Sequence, residues 1–100
     1  MKLNVEEMAE MLPSLRAEIA RELSLSHKLN QKEVAQLLGV SQPAVSQYLR
    51  RIRGKKREIY NENVQKEIKI LCEKIINGMP KQDLENELYN LCKLGMQKLN

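Results

Sequence analysis

Between Leu29 and Arg51 the chain places two helix starts and one helix stop within twenty-three residues. This stretch limits the fold more than any other. Asn30 is a helix cap, and Glu33 three residues on completes a capping box; Leu29 and Val34 flank the cap as a hydrophobic staple. These signals agree on a helix beginning at Gln31. Gly39 stops it, because glycine enters the left-handed conformation without a Cβ penalty. Ser41 caps a second helix two residues later, Val40 and Val45 form its staple, and Pro43 sits in the first turn, where proline is tolerated. That helix runs on through Tyr48, Leu49 and Ile52. Two helices joined by so short a turn must cross steeply. Val34, Leu38, Val40 and Val45 have the spacing to fill the crossing, and Ala35 is small where the helices approach.

Helical periodicity governs the rest. Leu12, Leu15, Ile19 and Leu23 repeat at three and four and share one face. Asn4 and Glu7 read as a capping box for a short helix carrying Met8, Met11 and Leu12. Pro13 then either opens a new helix reaching about Ser26 or lies within a single kinked one. After the basic connector 53–58, Val64, Ile68, Leu71, Cys72, Ile75 and Ile76 form one stripe. Gly78 and Pro80 punctuate. Leu84, Leu88, Leu91 and Cys92 form another stripe, with Gly95 and Leu99 in line, so the last two segments read as a helical hairpin. Aromatic residues make up 3% of the chain, all tyrosine. A core of Leu, Ile, Val and Met suits packed helices better than a sheet. One hundred residues fit one compact domain,. The motif spans 31–51. Residues 1–58 read as the helix-turn-helix region, and 59–100 as a hairpin that completes the fold, dimerises, or both.

The charge is uneven. The chain carries a net +4, yet residues 1–30 hold −1, residues 31–60 hold +5 and residues 61–100 are neutral. A basic excess confined to one segment is the footprint of a polyanion partner. Cys72 and Cys92 lie twenty residues apart on apolar helix faces, with no CxxC and no neighbouring His. That spacing argues against a four-ligand zinc site and points to buried thiols in a reducing compartment, with a disulfide or redox switch as the alternative. No cofactor is expected. No apolar run approaches the roughly 20 residues of a membrane span, and acidic residues interrupt the N-terminal apolar pattern, so a cytoplasmic protein is expected. There is no Gly-rich phosphate loop, no metal cluster and no nucleophile beside a partnering His. An enzyme is not expected, nor is a small-molecule effector. His27, alone in a polar stretch, reads as an exposed group or a charge at a helix C-terminus.

The string QKEVAQLLGVSQPAVSQYLRR resembles the helix-turn-helix of the Cro-type, or XRE, family of lambda-repressor-like regulators. The longer run from Leu12 to Gly54 resembles the N-terminal domain of certain archaeal members. The resemblance implies an all-α, five- or six-helix lambda-repressor-like domain, here with a C-terminal helical hairpin, and double-stranded DNA as partner. It implies that the helix over about 42–52 enters the major groove, which admits an α-helix. Carried over residue by residue, Gln42, Ala44, Ser46, Gln47 and Arg50 are base readers. Gln42 suits adenine and Ala44 a thymine methyl, while Arg50 suits a guanine edge or a phosphate. Gln31, Ser41, Arg51, Arg53, Lys55, Lys56 and Arg57 contact phosphates. Tyr48 is expected to pack its ring rather than stack on a base. One recognition helix reads few base pairs, so a homodimer through the C-terminal helices is expected. The competing reading is a protein-interaction module, such as an antitoxin or a transcription adaptor, that uses the same fold to dock a protein.

Overall fold

The computed structural model describes residues 5–53 and 62–97, the side chains of Glu7, Ile52, Arg53, Met96 and Gln97 excepted. It contains α1 (Val5–Leu25), α2 (Gln31–Leu38), α3 (Gln42–Arg53), α4 (Glu62–Ile76) and α5 (Lys81–Gln97), with no strand among the described residues. The all-α expectation holds, with five helices. The Asn4 cap and Leu99 lie outside the described residues.

α1 is one continuous helix with Pro13 inside it. The expected stripe is buried: Leu15, Ile19 and Leu23 are fully inaccessible, and Met11 nearly so. Full burial of one such side chain contributes about 1.5–3 kcal/mol. Burial does not stop at that stripe. Ala17, Glu18 and Ala20 are buried as well. α1 is therefore the central helix, packed against each of the other four. Small residues at 17 and 20 let neighbours come close on a second face. The pair α2–α3 and the pair α4–α5 meet each other mainly through α1.

Three residues after α1, Lys28 has φ 58, a left-handed residue without being glycine. The amide of Leu29 donates to the Leu23 carbonyl at 3.2 Å and closes that turn. α4 bears the predicted stripe with one change. Val64, Ile68, Leu71, Cys72 and Ile75 are buried, whereas Ile76, in the last turn, is 39% exposed. It sits about 100° round the helix from the buried Ile75, at the edge of the apolar arc,. The link to α5 is a Schellman turn: Gly78 N–H donates to Ile75 O at 3.1 Å and Met79 N–H to Lys74 O at 3.0 Å,. Leu84, Leu88, Leu91 and Cys92 of α5 are buried. Gly95 is buried too, and a Cβ there would lie 2.6 Å from Met11 Cε, so its lack of a side chain is what seats Met11. Arg16 bonds Glu85 at 3.1 Å and ties α1 to α5.

Candidate nucleic-acid interface

The two crossed helices are built as their sequence signals specify. Asn30 Oδ1 accepts the Glu33 N–H at 2.8 Å, and Glu33 Oε1 accepts the Asn30 N–H at 2.9 Å. Both halves of the capping box are present, and α2 begins at Gln31. At its other end Gly39 has φ 71. Gly39 N–H donates to Gln36 O at 3.3 Å and Val40 N–H to Ala35 O at 3.0 Å, a second Schellman turn. Ser41 Oγ then accepts the Ala44 N–H at 3.2 Å, and Val45 N–H closes the first turn of α3 on Ser41 O at 3.2 Å. Pro43 has no N–H. The amides of Ser41 and Gln42 are left open at the front of the helix, as the orphan donors of a helix start are unless something caps them.

Packing fixes which face of α3 looks outward. Val45 is fully buried against Val34, Ala35 and Leu38 of α2 and against α1; Val40, Tyr48 and Leu49 pack partly on the same core. The Tyr48 ring thus belongs to the packing, as expected. What remains outward is Gln42, Pro43, Gln47, Arg50 and Arg51, all exposed, with Ala44 and Ser46 half-buried between them. Gln42, Ser46 and Arg50 follow one another at four-residue steps along one row. Arg50 Nη1 donates to Ser46 Oγ at 3.3 Å, which lays the guanidinium along that row. α3 contains no acidic residue. The outward face therefore offers two amides, a hydroxyl, a methyl and cations, with no carboxylate on the helix to repel a polyanion.

Of the five residues expected to read bases, Gln42, Gln47 and Arg50 are exposed, and Ala44 and Ser46 are half-buried. The phosphate set divides. Gln31 is half-buried at the first position of α2, and Ser41 is exposed at the turn. Arg51 is exposed but turned back to α1, its Nη2 donating to Ser14 Oγ at 3.4 Å. The side chain of Arg53, and Lys55, Lys56 and Arg57 altogether, lie outside the described residues.

Two contacts had no sequence signal. His27 is half-buried rather than exposed, its Nε2 3.8 Å from Glu73 Oε2, and this bridges the end of α1 to α4. Ser14 holding Arg51 depends on how α1 crosses α3, which no local pattern reports. No cluster of His, Cys, Asp or Glu suited to a metal occurs among the described residues. Cys72 and Cys92 are free and buried. Burial, with Glu22 and Glu73 adding repulsion, pushes the Cys72 thiol up from 9.0 to about 12; burial also raises Cys92, against the opposing pull of Arg16. Cys72 Sγ donates to the Ile19 carbonyl at 3.8 Å. Both are packing residues, far from the thiolate character that reactivity requires.

Comparison with protein families finds a match over residues 18–59, to the family described as Helix-turn-helix. Over those 42 of its 100 residues the chain is similar to that family. The match takes in the last part of α1, all of α2 and all of α3; α4 and α5 lie wholly outside it. No curated protein and no solved structure matches the chain. The matched span holds the two crossed helices α2 and α3, within a set of five helices among the described residues. No helix of the described residues is long and apolar enough to cross a membrane.

Proposed function

We propose that the chain is a sequence-specific, double-stranded DNA-binding transcriptional regulator that lays α3 in the major groove. The observation that supports this most directly is the row Gln42, Ser46 and Arg50, with Gln47 exposed beside it, on a helix with no acid. Gln42 pairs with an adenine edge, Ala44 meets a thymine methyl, Ser46 and Gln47 read the next bases, and Arg50 reaches a guanine edge or a phosphate. The open amides of Ser41 and Gln42 receive a phosphate at the positive end of α3. Gln31, Arg51, Arg53, Lys55, Lys56 and Arg57 follow the backbone. To reach it, Arg51 exchanges its long bond to Ser14 for a charge-assisted one, which is stronger.

The protein acts as a homodimer through α4 and α5, the hairpin of residues 59–100 serving both the fold and the contact between copies. Ile70 at 47% and Tyr89 at 44% exposure, on those two helices, give the pairing apolar side chains to bury. Two copies of α3 would then read half-sites about one turn of DNA apart.

Selection of bound duplexes from a random pool tests the reading. A palindromic consensus whose half-sites are spaced by about one helical turn is the expected result. Recovery of unenriched sequence would refute specific reading, and affinity indifferent to salt would refute phosphate contact as well. The second of these outcomes is what a protein-docking module would give.

A further inference from the structure

Lys81 opens α5 and is remote in sequence from the helix-turn-helix, yet its side chain lies across the α2–α3 turn. A Cβ placed on Gly39 would stand 2.9 Å from Lys81 Cε, 3.0 Å from Cδ and 3.2 Å from Nζ. The aliphatic stem rests on the residue of the turn that has no side chain, and the ammonium ends beside it. Lys81 and Gly39 are both exposed. Successive Cα atoms are about 3.8 Å apart, so the ammonium lies within roughly 12 Å of the Ser41 Cα, where the open amides of α3 begin.

The charge is not spent inside the protein. The carboxylate one turn along α5, Glu85, is the natural partner of a lysine at 81, but it is bonded to Arg16 at 3.1 Å. Asp83 is two residues on, and side chains so spaced on a helix do not face each other. Glu33, the acid of α2, is held by the Asn30 amide at the far end of that helix. Among the described residues Lys81 makes no ion pair. The result is an uncompensated cation, delivered by the C-terminal hairpin to the edge of the surface that α3 presents.

We propose that Lys81 is part of the DNA interface, binding a backbone phosphate beside the start of α3. This rests on the reading of α3 as the groove helix. A purely structural role is the competing account, because α2 has no basic residue in its last turn and a cation near its C-terminus favours the helix dipole.

The test uses the full chain, as wild type and as Lys81→Met, Lys81→Gln and Lys81→Arg, titrated against one mixed-sequence duplex and one selected duplex across salt, with thermal melting alongside. Met and Gln remove the charge; Met keeps the stem on Gly39. The expected result is weaker binding of both duplexes by the same factor for Met and Gln, a log–log salt slope shallower by about 0.9, and recovery with Arg. Between about 50 and 200 mM salt the wild type then loses roughly 3.5-fold more affinity than either neutral variant. A wild type that binds both duplexes, with neutral variants of unchanged slope, overturns the role of Lys81 alone; a lowered melting point would then assign it to α2. A wild type that binds neither duplex overturns the groove reading, and this inference with it.

Discussion

Gln42 stands at the front of α3 with its side chain exposed and its own amide open. If it pairs with a base, Gln42→Ala costs about 1–3 kcal/mol on the selected site and relaxes preference at one position. Competition between single-base variants of the site reads this out, and an unchanged preference would move the reading face elsewhere. Gly39 is constrained twice, by φ 71 and by the Lys81 stem 2.9 Å from where a Cβ would go. Gly39→Ala is expected to destabilise by about 1–2 kcal/mol from backbone strain alone. Lys28 shows the opposite case, a side chain in a conformation suited to glycine. Lys28→Gly should raise stability by about 0.5–1 kcal/mol, the strain released exceeding the extra entropy of the unfolded chain; urea unfolding decides the sign. Gly39 was legible because a stop signal stood directly between two start signals. Lys28 was not, because nothing local distinguishes a strained lysine from an ordinary one.

The helices differ in how much of each could be read from sequence. α2 and α3 were legible nearly to the residue, since capping is local chemistry between groups three residues apart. Asn30→Ala removes one side of a reciprocal pair, and Ser41→Ala removes the acceptor for the Ala44 amide. Each should cost about 1 kcal/mol. Ser41→Ala should also weaken DNA binding more than Asn30→Ala at equal loss of stability, because Ser41 borders the groove helix. α1 was half legible. Its Leu15–Ile19–Leu23 stripe follows from periodicity, but the buried Ala17, Glu18 and Ala20 mark a helix enclosed by four neighbours, and alanines and a glutamate give no apolar pattern to announce it. Likewise the Ser14–Arg51 contact and the 3.8 Å approach of His27 to Glu73 depend on crossing angles set by the whole core.

At the scale of the molecule, the α4–α5 hairpin shares a core with α1, and its thiols are sealed into that core. Because folding raises the Cys72 pKa from 9.0 to about 12, the protonated thiol is favoured in the native state. Its contribution is fully present below pH 9.0 and is lost as pH rises toward 12,. Cys72→Ala should therefore lose stability less steeply over that alkaline range than the wild type, as denaturant melts at stepped pH would show. Equal slopes would mean that the thiol is not desolvated. A thiol reagent at neutral pH should label neither cysteine until the protein unfolds. The proline inside α1 has a consequence at this scale too. Pro13 supplies no donor for the Ala9 carbonyl, so the ladder of α1 has a missing rung between its first two turns and the rest. Opening that begins at Val5 meets a firebreak there. Amides before Pro13 should exchange with solvent well ahead of those after it, and trimming the chain back toward that point should leave the α2–α3 pair standing on an undisturbed floor.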